Sequence, residues 1–556
     1  MKIPCSIYLI AGNEEAHIGR CIESFKPLTD DFVVCIARGS LTPDRTEEIA
    51  KEKGARVIHY ENLKKDWPHI DDFASARNLA MDACNHEWRM WVDADDVAAD
   101  NAEEVLQEGL KLAEERDSSI ICWRYWVENA GLNPIREVAV KRGRGRWKNR
   151  VHEALEPDDR NKLLAIDKVM RIHRPITDKK DSADRNHRIL ADELKEAPFH
   201  LYYTHQEYFL RGNVEKAIEL GERALAFPDL DETLKYELLN NMGRVSPEGK
   251  RLRYFGEAIA LNPNRREAYF YLMAEYSKKG DWLKAWHAGR AGMAMPKPTQ
   301  HYWNQVKAIY EWQLLDGYRI ASLCHNQKEE AQKLKNLYPK PRISIIHATR
   351  GRPQQAFARR LQWLGLAEKS LEIEWLFMVD EDEKVDYTPH DAIRVNPGGI
   401  INAWNAGAKL ANAPIIIQMS DDWSPPRYWD ALICSKFDNV EAERVLAVSD
   451  GLRTDKLLCM AIMTQKRLRK QGGYMFHPSY QESDGIYSDN EFTDRAYQDD
   501  CVIEARDIVF RHENPLFTGG QPDDLIKNHH PYLYTPQRSC LCHLQGRNSP
   551  QVPPIS

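Results

Sequence analysis

No stretch of this 556-residue chain reaches the roughly 18 consecutive apolar residues that cross a bilayer; Ala413-Pro414-Ile415-Ile416-Ile417 is typical of the longest runs. The amino terminus, Met1-Lys2-Ile3-Pro4-Cys5-Ser6, lacks the charged-then-apolar pattern of a leader. Cysteine is sparse: 11 residues, scattered, with no Cys-x-x-Cys pair. They read as reduced thiols and exclude a disulfide framework. An excess of positive charge is missing too, since 77 basic and 84 acidic residues leave a net charge of −7. That argues against a surface basic throughout but leaves room for a local basic patch. No Gly-x-x-x-x-Gly-Lys-Ser loop suggests an ATPase. These absences set aside the membrane and secreted-miniprotein classes and predict a cytoplasmic protein. With 42% hydrophobic and 29% charged residues the composition is that of a folded chain, not a disordered one. At about 150 residues per domain, the length predicts three or four domains.

The first zone, residues 1–190, alternates strands and helices. Ser6-Ile7-Tyr8-Leu9-Ile10 is a strand pattern running into Ala11-Gly12-Asn13-Glu14-Glu15, and Ile18, Cys21, Ile22 and Phe25 then share one helical face. Phe32–Ile36 and Arg56–Tyr60 are two more strands, separated by a helix over Thr46–Lys53. Such alternation predicts βαβ units and a parallel sheet, with ligands at the carboxyl ends of the strands.

The middle zone, 195–335, loses its strands. Gly212 and Gly280 are 68 residues apart, as are Ala217 and Ala285, and Pro228 and Pro296; Ala224 and Ala258 are 34 apart. A 34-residue helix-turn-helix period with small residues at packing points resembles the tetratricopeptide repeat. Three repeats fit, the middle one divergent around Ser246-Pro247-Glu248-Gly249. After Tyr338-Pro339-Lys340-Pro341, a stiff linker, the third zone (340–520) restarts the strand-then-loop pattern. Arg342–Ile346 leads into His347-Ala348-Thr349-Arg350-Gly351, a second strand ends at Asp380, and Pro414–Met419 ends at Ser420-Asp421-Asp422. The tail, 521–556, is rich in Pro, His and Gln and has no periodicity; its Cys540-Leu541-Cys542-His543 lacks the usual zinc-ligand spacing.

The strongest local signal is Met90-Trp91-Val92-Asp93-Ala94-Asp95-Asp96, an apolar strand ending in carboxylates. Hard oxygen donors at a sheet's ligand edge suit Mg²⁺ or Mn²⁺ and hence a diphosphate, although a helix cap or acidic turn would read the same in isolation. Here the motif stands in an ordered set: Ser6 to Glu15; Gly39-Ser40 with Asp44-Arg45-Thr46; Asp72-Phe73-Ala74-Ser75-Ala76-Arg77-Asn78; Asp93-Ala94-Asp95; Arg150-Val151-His152-Glu153; Ile172-His173. In that order the zone resembles a family-2 glycosyltransferase domain of the GT-A fold. The resemblance implies Asn13, Glu14 and Asp72 on the nucleotide side, Arg77 near the diphosphate and Asp93 at the ribose. It implies Asp95 and His173 as metal ligands, and His152 or Glu153 on the acceptor side, Glu153 being the preferred base. One departure is material: where the family places a base-reading Asp two residues before Gly-Ser, this chain has Ala37.

The third zone resembles a second such domain. Asp380 stands where the base-reading Asp ends the second strand, with Thr349 and Arg350 in the first loop. Asn396-Pro397-Gly398-Gly399, with Asn402 and Asn405, resembles the segment lining the nucleotide pocket. Asp421 and Asp422 are left for ribose and metal, His512 for the third ligand, and Asp489 or Glu491 in Ser488-Asp489-Asn490-Glu491-Phe492 for the base.

The expected fold class is therefore α/β, two GT-A domains joined by an all-α repeat segment. The function it implies is a metal-dependent inverting glycosyltransferase, with a UDP-sugar as the donor of choice, one or two successive transfers, and no membrane partner. The Gln-x-x-Arg-Trp of relatives that extrude long polysaccharides is absent. The acceptor is a glycan, a protein or a modified base in phage-type DNA. The last reading rests on 136–150, which holds seven Lys or Arg against one Glu; Arg142, Arg144, Arg146 and Trp147 would contact a polyanion there. A solvated basic loop is the plainer reading. The repeats would bind a partner or serve as a spacer. The alternative from another class is a scaffold with degenerate sugar-nucleotide sites.

Overall fold

The computed structural model describes residues 2–128, 134–174, 182–297, 305–387, 391–481 and 487–513. The tail expected over 521–556 lies outside the described residues. The chain divides into two compact units, Met1–Leu272 with Ala294–Val306 and Met273–Met293 with Lys307–Ser556, so the helical segment contributes to both.

The first unit holds a sheet built from β1 (Cys5–Ala11), β2 (Phe32–Ile36), β3 (Arg56–His59), β4 (Trp88–Trp91), β5 (Asp96–Ala98), β6 (Ile120–Val127), β7 (Ile135–Lys141) and β10 (Leu163–His173). Between β7 and β10 the chain makes a separate hairpin, β8 (Gly145–Lys148) and β9 (Ala154–Pro157). The spatial order is β3-β2-β1-β4-β7-β6-β10-β5. The first four are parallel, β7 runs against both β4 and β6, and β5 runs against the end of β10. β2 is buried at every position, as expected of a strand covered on both faces. On one face Ile7, Leu9, Val34 and Met90 pack with the helices Ile18–Phe25 and Ala102–Glu115. On the other, Tyr8, Val33 and Trp91 pack with Ala74, Ala80 and Met81 of the helix Phe73–Asp82 and with Trp147 and Leu155 of the hairpin.

The second unit holds β11 (Ile343–Ala348), β12 (Ile373–Asp380), β13 (Ile393–Val395), β14 (Ile415–Met419), β16 (Val445–Ser449), β17 (Ile462–Thr464) and β18 (Val502–Val509), with β15 (Trp423–Ser424) and β19 (Arg511–His512) as a short pair. Its order, β13-β12-β11-β14-β17-β16-β18, repeats the first seven positions of the first sheet, with β17 antiparallel in the place of β7. The α/β plan expected from the sequence is thus used twice. Gly407 shows how closely a helix lies on this sheet: a Cβ there would come within 2.4 Å of Ile346.

The middle is helical. Pairs form from Pro198–Leu210 and Val214–Leu225, and from Glu232–Val245 and Glu248–Leu261; the helices Glu267–Lys278 and Trp282–Ala294 follow in the chain. Ala217, Ala224, Ala258 and Ala285 are fully buried where helices pack, and Gly212 and Gly280 turn the chain at φ of +71° and +70°. No described helix is long and apolar enough to cross a membrane.

Candidate active sites

In the first sheet the candidate side chains gather near the carboxyl ends of β1, β4 and β10. The loop after β1 is tied to the next loop: Asn13 Nδ2 donates to the Thr42 carbonyl (2.8 Å), and the Glu14 amide donates to Thr46 Oγ1 (2.6 Å). The Glu14 carboxylate lies 3.0 Å from His17 Nδ1. Asp72 caps the helix Phe73–Asp82, accepting from the amide and hydroxyl of Ser75, and that helix carries Arg77 into the core.

Arg77 is the organising cation. Its Nη2 donates to Asp93 Oδ1 and its Nε to Glu153 Oε1, both at 2.7 Å, while its guanidinium lies 4.6 and 4.9 Å from the ring centres of Trp91 and Trp147. Burial alone would make it easier to deprotonate, but the two carboxylates hold it charged. The expected ribose-side and base residues, Asp93 and Glu153, are thereby joined through one buried side chain.

Beside them, one ligand atom each from Asp95, Asp96 and His173 lies within 4.8 Å of the others. His173 Nδ1 is 3.5 Å from a carboxylate oxygen of each aspartate. Burial would lower the His173 pKa, but Asp96 and Asp95 beside it raise it. Two carboxylates and an imidazole are a fitting donor set for Mn²⁺ or Mg²⁺. Asp96 was not singled out from the sequence. It is fully buried, accepting from Arg171 Nη1 (2.7 Å) and from the Tyr125 hydroxyl (2.9 Å), and Arg171 lies 3.7 Å from the Trp91 ring centre. The signal was present: Arg171 sits two residues before His173 on the same face of one strand.

His152 sits apart from the metal group. It takes a left-handed φ of +53°, stacks on Tyr203 at 4.1 Å with the planes 12° apart, and burial, aided by Arg185, pushes its pKa down to about 4.

The basic strip is not laid out as expected. Trp147 is 3% exposed and donates from Nε1 to the Tyr8 hydroxyl (2.8 Å), so it has no free face for stacking on a base. Arg142 donates to the carbonyls of Cys84, Asn85 and His86, Arg146 to Asp82, and Arg144 to Asp158. Spacing along the chain shows charge but not the intramolecular partners that satisfy it.

In the second sheet Asp421 is buried, bonded to His347 Nε2 (2.8 Å) and to the Thr349 hydroxyl (3.0 Å). Asp422 Oδ2 lies 3.2 Å from His512 Nε2, and its Oδ1 accepts from Ser420 (2.6 Å). Burial would raise the Asp422 pKa, but the bonds from His512 and Ser420 bring it down to about 2. The short antiparallel pairings of β5 with β10 and of β15 with β19 give a register: His173 pairs with Asp96, and His512 with Trp423. Asp422 therefore corresponds to Asp95 and Ser420 to Asp93, while Trp423 stands in the place of Asp96. Asp380 ends β12 as expected, bonded by Arg350 Nη1 at 2.8 Å, and burial raises its pKa despite that arginine. Gly399 has φ of +72°, and Asn402 Nδ2 reaches back to the Asn396 carbonyl at 2.6 Å. Asp489 and Glu491 lie in the first turn of the helix Ser488–Gln498; burial raises both, and Glu491 pairs with Arg495 at 3.2 Å.

Parts of the chain are similar to known proteins. Residues 6–164 match the family model described as Glycosyl transferase family 2. The chain is 26% identical over 171 residues to the lipopolysaccharide core biosynthesis glycosyltransferase LpsC of Rhizobium meliloti, covering 28% of this chain and 58% of that protein. It is 25% identical over 236 residues to the SPbeta prophage-derived glycosyltransferase SunS of Bacillus subtilis, covering 40% and 53%. It is also 37% identical over 91 residues to a TPR repeat-containing protein of Synechococcus elongatus, covering 16% and 20%. The chain thus spans at most 58% of the length of these relatives.

Proposed function

We propose that this chain is a glycosyltransferase whose first domain, residues 1–190, moves a sugar from a UDP-sugar to a hydroxyl of a glycan or protein acceptor, with inversion. The observation that carries the reading is the chain Asp93–Arg77–Glu153, joined through the buried Arg77 and lying beside the Asp95, Asp96 and His173 group, at the carboxyl ends of the strands of a sheet whose sequence matches family 2. Asp95 and His173, with Asp96, would hold Mn²⁺ or Mg²⁺, which supplies positive charge for the departing diphosphate. Asn13 and Glu14 line the nucleotide side, and Asp93 orients the donor while Arg77 fixes its carboxylate. Glu153, held at the other end of Arg77, accepts the proton of the attacking hydroxyl. His152, kept neutral by burial, packs the loop instead of serving as the base.

The second domain is read as a donor-binding partner that transfers weakly or not at all. The supporting observation is Trp423, which fills with an indole the place of a third metal ligand. Asp380, Arg350, Gly399 and Asn402 are left to hold a sugar nucleotide, whereas Asp421, the expected ribose residue, falls at the register position of Ala94 and is buried against His347 and Thr349.

The test is a panel of nucleotide sugars incubated with the full chain and Mn²⁺, read by release of nucleoside diphosphate and by mass shift of candidate acceptors. Turnover of a UDP-sugar that Asp95→Ala abolishes and Asp422→Ala leaves supports the reading. No turnover of any nucleotide sugar favours a binding scaffold instead.

A further inference from the structure

The loop that presents Glu153 is held from outside its own sheet. Within residues 149–153, Asn149 and His152 both take left-handed backbone, at φ of +70° and +53°, conformations that cost a side-chain-bearing residue of order 1 kcal/mol or more each. Such a loop keeps its shape only where its surroundings over-determine it. Arg150 donates from Nε to the Asp71 carbonyl and from Nη1 to Asp192, and its own carbonyl accepts from the Phe73 amide. Val151 is buried with Ile189 and Leu190 of the helix Ser182–Asp192, with Trp67, Phe73 and Tyr203 packed against them. His152 has no polar anchor: its Nε2 is buried without a hydrogen-bond partner, and its ring lies flat on Tyr203 at 4.1 Å. Tyr203 in turn is wedged between Phe199 (4.6 Å) and Tyr202 (4.9 Å) on the helix Pro198–Leu210. The residue after His152 is Glu153, bonded to Arg77.

We infer that Tyr203, on the first helix of the repeat segment, is a positioning residue for sugar transfer in the first domain: its ring fixes His152 and so keeps Glu153 on Arg77. The repeats then do more than space two domains, because their first helix is a wall of the acceptor side. This inference rests on the proposal that residues 1–190 transfer sugar with Glu153 as the base. Stacking alone holds the ring, so the phenol hydroxyl is dispensable and the aromatic face is not.

Two measurements on the full chain test it. The first follows the His152 imidazole by proton NMR titration, assigned by its loss in His152→Gln. Wild type and Tyr203→Phe should titrate together near 4. Tyr203→Ala, which opens the ring to water, should shift the titration toward the ordinary value of about 6.5. The second follows hydrolysis of the UDP-sugar selected by the panel. Tyr203→Ala should lower kcat by at least about tenfold with KM for the donor within about threefold, and Tyr203→Phe should restore kcat. Should Tyr203→Ala not fold, Tyr203→Leu, which keeps bulk but not the flat face, takes its place. An unchanged His152 titration in the alanine or leucine variant overturns the inference. So does wild-type kcat in that variant, failure of phenylalanine to rescue, or a joint collapse of kcat and UDP binding. If wild type turns over no nucleotide sugar, the functional proposal fails. The titration then decides by itself whether Tyr203 holds the loop.

Discussion

His512 lies flat on Trp423, ring centres 4.2 Å apart and planes 4° apart, at the register position where the first sheet pairs His173 with Asp96. An indole offers no lone pair to a hard cation, so the two sheets share a strand order but not the same donor atoms at this position.

Metal affinity should therefore reside in the first domain. Titration calorimetry of the full chain with Mn²⁺ should show one dominant site. Asp95→Ala should weaken it by at least about tenfold, a floor set by what losing a mere outer partner costs a metal site. Asp422→Ala should change it by less than about threefold. Equal losses in the two variants would place the dominant site elsewhere.

Arg77 neutralises Asp93 and Glu153 from a nearly buried position. Removing it leaves two carboxylates facing each other without a cation, a change that costs about 3–5 kcal/mol for buried pairs and somewhat less here because Asp93 is partly exposed. Arg77→Ala should lower the thermal midpoint by several degrees and abolish turnover. Arg77→Lys should recover much of the stability but little of the rate, since one ammonium cannot reproduce two hydrogen bonds in fixed directions. Wild-type turnover in the lysine variant would contradict the bridging role.

Burial pushes the His152 imidazole down to about 4 in the folded chain, against its ordinary value of about 6.5 when exposed. A lowered histidine destabilises the fold in acid: above about 6.5 both states are neutral, and as pH falls toward 4 only the unfolded state takes up the proton. The gap corresponds to about 3 kcal/mol. Thermal midpoints of wild type minus His152→Gln, measured from pH 7 to pH 4, should fall steadily across that window. His69, His187 and His200 shift in the same direction, so the difference between the two proteins is the informative quantity. A flat difference would show that His152 is not buried as described.

The arginines of 142–146 are already engaged by Cys84, Asn85, His86, Asp82 and Asp158. Duplex DNA should not be retained by the chain at about 0.15 M salt, and reversing Arg144 and Arg146 to Glu should not alter binding measured at lower salt. A loss of affinity with a reduced salt slope in that variant would restore the nucleic-acid acceptor.

Much of this was legible in the residues themselves. Strands ending in Asn13-Glu14, Asp93-Ala94-Asp95 and Asp421-Asp422 announce where a parallel sheet gathers its polar ends, because an apolar run must finish at the sheet edge before charge can follow. The 34-residue spacing of alanines marked helix pairs for a similar reason: small residues recur where helices approach. The strand-then-loop pattern restarting at Arg342 likewise marked a second α/β domain of the same plan.

Other features were decided by tertiary packing. Arg77 joins Asp93, 16 residues away, to Glu153, 76 away, and no period in the sequence relates those three. Asp96 looks like one more acid in a run until Arg171 and Tyr125 bury it, and Trp147 looks like a stacking platform until Tyr8 and Arg77 enclose it. By itself, the sequence determined which loop end each side chain occupies, since strand and helix periods are local. Which of those side chains are buried, paired or open was decided only when distant segments closed on one another, because desolvation and partner geometry are properties of the packed chain.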